Sequence, residues 1–291
     1  MSRIFLDRVE FYITNVCNLN CDNCNRFNNY HFTGHQKWED YREIYEEWGK
    51  KINFNHISIL GGEPLLNPSI IDWSHGIGGI WRARIEIVTN GTRLLHVKGL
   101  YDEMKGYGRG QIFIHVGLHD GTKLAEMEEM VLKFLKGPVE REEVVENNTT
   151  HYRFIDSNDV WVEIHVENIF HRNALTRNNN IFTIHDSNTT KAHDICYEKH
   201  NHHFVKGKLY KCNVTGVLPE FHKQFYLNMS LEDKKLMDSY RPLTLDDDLE
   251  FTKSFINNLP NEVSQCKFCP EWLDSFPLIP STQKIKVEKK P

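Results

Sequence analysis

Val9-Glu10-Phe11-Tyr12-Ile13-Thr14 leads, two residues later, into Cys17-Asn18-Leu19-Asn20-Cys21-Asp22-Asn23-Cys24. The first run is β-branched and aromatic and predicts a buried strand, so the three thiols fall on the loop that follows it. In residues 40–51, Tyr41, Ile44, Tyr45 and Trp48 stand three and four apart with acidic residues between them, which predicts a helix with one apolar face. Residues 56–60 (HISIL) then predict a second buried strand, ending at Gly61 and Gly62. Strand, helix and strand joined through glycine is the βα rhythm of a parallel sheet.

The same rhythm continues outward. Residues 69–80 predict a helix, 84–89 (RIEIVT) and 111–116 (QIFIHV) strands, and 125–135 another helix. Two further extended runs, 152–155 and 160–166, flank Asp156-Ser157-Asn158-Asp159, which suits a hairpin as well as another βα unit. After about residue 170 the chain turns rich in Asn and His, and we place a domain boundary near 185, giving 1–185 and 186–291. The Lys-rich stretch 284–291 reads as a frayed tail, and no internal repeat is visible.

Composition narrows the class. At 291 residues, 40% hydrophobic and 26% charged, the chain reads as an ordinary globular protein, and a formal charge of -5 gives no general reason to expect nucleic-acid affinity. No stretch approaches the roughly 20 consecutive apolar residues of a membrane span, and Met1 to Glu10 lacks the apolar core of a signal peptide. The expected location is cytoplasmic, where thiols stay reduced. Seven cysteines, an odd number, then point to metal or redox chemistry rather than to disulfides.

Three thiols within eight residues can wrap one corner of an iron-sulfur cube. Such clusters usually take four thiolates, so three leave one iron open to a small chelating ligand. On residues alone the alternatives stay open: a three-cysteine zinc site completed by His31 or His35, or unrelated buried thiols. Gly61-Gly62-Glu63-Pro64 at the end of the second predicted strand is a further cue, because glycines let backbone approach closely and a carboxylate pairs with an ammonium.

The CxxxCxxC spacing after a first strand, followed by GGEP after a second, resembles the signature of the radical S-adenosylmethionine superfamily. The resemblance implies a partial (β/α)6 TIM-like barrel with cofactors at the C-terminal ends of the strands. It implies that Cys17, Cys21 and Cys24 ligate a 4Fe-4S cluster whose open iron is chelated by S-adenosylmethionine, with Gly61, Gly62, Glu63 and Pro64 contacting the methionine amino group. Reductive cleavage of the cofactor to a 5'-deoxyadenosyl radical then starts hydrogen abstraction from a substrate. Thr89-Asn90-Gly91 is similar to a motif at the third strand end of many relatives, and Asn90 is expected to contact the cofactor. The fourth strand departs from the pattern: Gly117 stands where relatives often carry a polar ribose contact, and His119 or Asp120 would have to substitute. Asn23 also replaces the aromatic residue many members carry before the third cysteine.

The remaining cysteines lie in the last third. Cys196 is followed by ten residues, Gly207, four residues and Cys212, and a C-x-x-C pair, Cys266 and Cys269, comes later. This resembles the auxiliary-cluster region of the SPASM and Twitch subfamily, in which a hairpin turning at the glycine presents two thiolates. A full SPASM region carries more cysteines than the four that remain, so a Twitch-like domain with one fully ligated auxiliary 4Fe-4S cluster is expected; a four-cysteine zinc site is the alternative. The resemblance implies a radical oxidoreductase drawing electrons from a donor such as flavodoxin or ferredoxin. Its expected substrate is a small polar metabolite (a sugar, cyclitol or nucleotide), because no N-terminal domain of the kind that captures a leader peptide precedes the barrel. A peptide-modifying maturase is the alternative, and a non-catalytic zinc or iron-sulfur protein is the rival from another class.

Other residues tempt. Arg26, Asn28, Tyr30 and His35, just after the cysteine loop, are candidates to line a substrate cavity, while Phe27 and Phe32 suit packing of a loop. His200, His202 and His203 near the predicted hairpin are expected on a solvated turn, and Trp38, Tyr41, Tyr45 and Trp48 in the core. No general base is identifiable.

Overall fold

In the computed structural model, which describes residues 3–277 apart from 22, 29, 31, 108–110, 119, 147–148, 167–168, 172, 179–180, 226 and 273–274, the run at residues 9–14 forms the end of β1 (Ile4–Tyr12) and the turn after it. The strands that follow are β2 (Ile52–Leu60), β3 (Arg84–Thr89), β4 (Ile112–Leu118), β5 (Val139–Glu146), β6 (Thr149–Asp156), β7 (Trp161–Val166), β8 (Ile169–His171), β9 (Leu175–Asn178), β10 (Ile181–Ile184), β11 (His202–Val205), β12 (Lys208–Tyr210), β13 (Leu227–Asn228) and β14 (Ser275–Pro277). The helices are α1 (Trp38–Lys51), α2 (Ile70–Ile80), α3 (Leu100–Gly106), α4 (Leu124–Phe134), α5 (Thr189–Asp194), α6 (Asn213–Gly216), α7 (Leu218–Gln224), α8 (Leu231–Asp238) and α9 (Leu249–Asn258).

One nine-stranded sheet runs β12-β11-β1-β2-β3-β4-β7-β6-β5. From β11 to β7 its neighbours are parallel, while β12 at one edge and β6 with β5 at the other are antiparallel. A largely parallel sheet with helices is the mixed α/β architecture expected of a partial barrel. Two small sheets, β13-β10-β9 and β14-β8, lie later in the chain.

Toward the C-terminal ends of the strands, side chains alternate across the sheet. Val9 and Phe11 on β1, Ile57 and Ile59 on β2, Ile85 and Ile87 on β3, and Ile112, Ile114 and Val116 on β4 belong to one core with Tyr45, Trp48, Trp73, Ile77 and Trp81 from the helical layer. Each such side chain contributes about 1.5–3 kcal/mol by leaving water. Trp38, Tyr45 and Trp48 are buried there, as the helical spacing requires, with Tyr41 packed against them. The other face carries Arg8, Glu10, His56, Ser58, Glu86, His115, Glu163 and His165, joined in ion pairs and hydrogen bonds. A slip of one residue would exchange the two faces, so this pattern sets the register.

Differences from expectation have local causes. Residues 152–155 and 160–166 form a hairpin, β6 against β7, whose turn is held by Asp156 Oδ1 accepting from the Asn158 and Val160 amides (2.8 and 3.1 Å). β5 escaped notice because Glu-rich sequence has low strand propensity, and pairing with β6 overrides it. His202 and His203 do not lie on a solvated turn: both are buried on β11, which pairs in parallel with β1. Burial pushes His202 down to about 4. The hairpin does turn at Gly207, with Lys206 and Gly207 at φ of 51° and 75°, the left-handed pair that closes tight hairpins. The Trp48 indole donates to the Gly207 carbonyl (2.9 Å) and the Gly207 amide to the Tyr45 hydroxyl (3.1 Å), which docks the turn on α1. A strand from beyond residue 185 thus joins the main sheet beside β1.

A second core knits the later residues to the rim. Phe221 on α7 packs its ring against Phe27, Tyr30, Phe32, Phe182 and Phe225. Among the described residues no helix is long and apolar enough to cross a membrane. Phe221→Ala is expected to lower stability by about 3–5 kcal/mol in urea unfolding and to loosen residues 25–32 against protease.

Candidate functional site

Beyond the ends of β1 and β2 the two chains stay paired. The Gly62 amide donates to the Thr14 carbonyl and the Glu63 amide to the Val16 carbonyl, both at 2.8 Å, so the cysteine loop and the GGEP turn continue one ladder. A Cβ on Gly61 would lie 2.4 Å from the Thr14 oxygen, and one on Gly62 2.4 Å from the Val16 oxygen and 3.0 Å from Cys17 Cβ. The freedom expected to admit a ligand is taken up, at both glycines, by the backbone of the cysteine loop.

Within that loop the Leu19 amide approaches Cys17 Sγ (3.4 Å), and the Cys24 amide donates to the Cys21 carbonyl (3.3 Å). The Tyr12 hydroxyl feels both Cys17 and Cys24, which puts these thiols at one end of β1. Asn23 sits at φ 54°, a conformation asparagine tolerates better than bulky residues, and this is a backbone reason for its place before Cys24.

Glu63 is fully buried. Its Oε1 accepts from the Leu65 amide (2.9 Å) and the Thr89 hydroxyl (2.6 Å), and Oε2 accepts from the Asn90 amide (2.8 Å). Burial pushes the carboxyl up, and these donors work against it. Three donors leave about one of a carboxylate's four acceptor positions. Pro64 begins the 3-10 turn Pro64–Leu66 that Glu63 caps. Asn90 donates from Nδ2 to Asn18 Oδ1 (3.0 Å), and Asn18 donates to the Thr92 hydroxyl (2.7 Å). The three strand-end motifs are therefore bound to one another at the same rim. His119 lies outside the described residues. Asp120 caps its own turn through the Thr122 amide (3.1 Å) and hydroxyl (2.5 Å).

Of the residues expected to line a substrate cavity, most serve structure. Arg26 donates to both Glu10 and Glu198, Asn28 to the Tyr12 hydroxyl (2.9 Å), and Tyr30 is buried against Phe182 and Phe221. His35 Nδ1 lies 2.8 Å from the Thr14 hydroxyl on an otherwise exposed residue. Phe27 and Phe32 pack the loop. His31 lies outside the described residues. Burial works to raise Glu10, yet Arg26 and His203 hold it down at about 2.

Cys196, Cys212, Cys266 and Cys269 line one cavity, with Lys211 and Val214. Cys196 follows α5, Cys212 caps the N-terminus of α6, Cys266 lies in the 3-10 turn Ser264–Phe268, and Cys269 caps the end of that turn, its amide donating to the Cys266 carbonyl (3.0 Å). Burial and then the neighbouring Cys212 push Cys196 up to about 11, and burial with the other three thiols raises Cys269 well above the usual range. Four half-buried thiols around one cavity form a donor set that could hold a metal-thiolate group. The two cysteine sets are also tied together: Asn173 Nδ2 donates to the Cys24 carbonyl (2.9 Å), Asn25 Nδ2 to Glu198 (2.6 Å), and Asn213 Nδ2 to the Asn25 carbonyl.

Sequence reading missed the charged face of the sheet. Its signal was present as polar residues at every second position of the strands, such as His56 and Ser58, but alternation alone does not say that the polar face turns toward a site.

The family model for the Radical SAM superfamily matches residues 11–168. No curated protein matches the chain. Among solved structures the chain is similar to Streptococcus suis SuiB bound to S-adenosylmethionine, at 22% identity and a TM-score of 0.33, covering 40% of this chain and 25% of that one. It is similar also to SuiB bound to precursor peptide SuiA, at 21% identity and a TM-score of 0.34, over the same shares. The chain thus spans about a quarter of the length of the structures it matches. The family match takes in more than half of the chain, including the cysteine loop, the GGEP turn and the rim they build, and the chain belongs to the radical SAM superfamily.

Proposed function

We propose that Cys17, Cys21 and Cys24 hold the 4Fe-4S cluster of a radical S-adenosylmethionine enzyme, and that the GGEP turn with Asn90 seats the cofactor beside it. The observation that carries this reading is the shared ladder of the cysteine loop and the GGEP turn, which brings Cys17 against Gly62. Bound there, cluster and cofactor supply radical chemistry through one-electron cleavage of the sulfonium. The chain's own part is to hold the loop at a fixed distance from Glu63 and to close the rim with buried aromatic residues that exclude water.

Cys196, Cys212, Cys266 and Cys269 are the ligands we assign to a second, fully ligated 4Fe-4S cluster in a Twitch-like region after residue 185. The shared cavity and the mutual effect of the four thiols support it. A single tetrahedral zinc needs thiolates within about 4 Å of one another; among the described residues, the groups of three or more ligand atoms within 4.8 Å are His151, Glu163 and His165, and Glu10, Glu198 and His203. A four-iron cube spreads its thiolates more widely and suits the four cysteines better. Such a cluster is suited to electron transfer, with a flavodoxin or ferredoxin as the outside donor.

The preference for a small polar metabolite over a peptide loses its ground, since a chain that spans a quarter of its structural neighbours decides nothing by where it begins. SuiB is seen with a precursor peptide, and peptide and metabolite are the two arms of the substrate screen.

Anaerobic reconstitution is expected to give about eight irons per chain, and incubation with S-adenosylmethionine and dithionite to give 5'-deoxyadenosine. Cys17→Ala should keep about half of the iron and lose cleavage; continued 5'-deoxyadenosine formation would refute the assignment of the first cluster. Cys269→Ala should retain the first cluster, while zinc without iron at the four-cysteine site would refute the second. Gly62→Ala pushes the Val16 carbonyl and Cys17 away from the GGEP turn, so it should lose first-cluster iron and lower the melting temperature; full loading of that variant would contradict the role given to the close approach.

A further inference from the structure

A line of histidines crosses the polar face of the sheet at the rim. His165 pairs with Gly117 of β4 and with His151 of β6, and Thr89, the residue before Asn90, pairs with Val116. Asn90, Gly117, His165 and His151 therefore share one level, and His165 is one residue from the end of β7. The imidazole of His165 stacks between His115 (centroids 4.0 Å, 20°) and His151 (4.5 Å, 5°). Its Nε2 lies 3.0 Å from Glu163 Oε2, and Glu163 Oε1 accepts from Arg153 Nε (3.0 Å). We propose that His165, oriented by Glu163 and clamped between His115 and His151, is a proton acceptor for an O–H or N–H group of the substrate, an assignment that rests on the radical reading of the rim.

Geometry sets the tautomer. Burial works to raise Glu163, but His165 and Arg153 hold it at about 2, so it is a carboxylate and accepts from Nε2–H. The lone pair of neutral His165 is then on Nδ1, and this nitrogen takes the proton. The step moves one proton from substrate oxygen or nitrogen to Nδ1, leaving an imidazolium beside the Glu163 carboxylate and a negative charge on the substrate atom. A base held by a third group is the arrangement proton transfer needs, and His165, whose side chain is 26% exposed, is reachable from the rim. The substrate class that needs it loses hydrogen at a carbon bearing O–H or N–H. The titratable and charged groups facing His165 are Glu163 on its own strand, His151 and Arg153 on β6, and His115 on β4 with Glu86 behind it.

A metal ion fits this cluster poorly, although its ligand atoms lie within 4.8 Å of one another. An imidazole binds metal in its ring plane, and the near-parallel rings of His151 and His165 offer no shared point in both planes. The Arg153 guanidinium already occupies Glu163.

The test is carbethoxylation of the reconstituted full chain with diethylpyrocarbonate at pH 7, mapped by peptide mass spectrometry. His165 is expected to label ahead of His115 and His151, several-fold slower in Glu163→Gln, where no carboxylate on Nε2–H orients the ring and strengthens Nδ1 as a nucleophile, and at an unchanged rate when S-adenosylmethionine is present. An unlabelled His165, or a rate indifferent to Glu163→Gln, would reduce the stack to packing and overturn the proposal. Protection by S-adenosylmethionine alone would make His165 a cofactor contact and overturn it as well. 5'-deoxyadenosine formation by the same preparation separates the two readings: its absence counts against the cysteine assignment, whereas the labelling pattern judges His165.

Discussion

The contact on which the site depends is the backbone pairing of Thr14 and Val16 with Gly62 and Glu63. It extends the β1–β2 ladder beyond both strands and carries the cysteine loop onto the GGEP turn. Side chains at either glycine would collide with carbonyl oxygens at 2.4 Å, so small residues there are a condition of the loop's position. Glu63 then passes the constraint on, because its buried carboxylate binds the Thr89 hydroxyl and the Asn90 amide at the end of the next strand. Asn90 returns it to the loop through Asn18. Three loops from three strand ends are thereby bound into one rim.

The sheet beneath has two unlike faces. One packs isoleucine, valine and aromatic rings under helices, and the other carries a network in which Glu86 accepts from Arg8 (2.6 Å) and Ser58 (2.5 Å) and pairs with His56 and His115. Parallel strands covered on both faces read as continuous apolar runs. Alternation here instead leaves a polar face, and charges on it survive burial because each is paired.

The later third of the chain is held to this rim rather than merely following it. β11 lies beside β1, His203 meets Glu10 at 2.7 Å, and Arg26 bridges Glu10 to Glu198. Asn213, next to Cys212, binds the backbone of Asn25, next to Cys24. The separation between the two cysteine sets is thereby set by short hydrogen bonds.

From residues alone one could read the βα rhythm, the helical face of Tyr41 to Trp48, the strand at 84–89 and the cysteine and glycine motifs, because local periodicity and the chemistry of thiols and glycine act within a few positions of the chain. The partners of Arg26, Asn28 and His203 are not legible in the sequence for a physical reason: each is decided by a residue distant in the chain, Glu198, Tyr12 and Glu10, and polar residues look alike until burial assigns their partners. The same holds for β11, whose place depends on the docking of Gly207 against Trp48 and Tyr45. What the sequence by itself determined is the family chemistry and the alternating pattern of the sheet; only the tertiary structure decided that Gly61 and Gly62 serve a backbone contact and that His115, His165 and His151 stack at the rim, because both follow from which strands become neighbours.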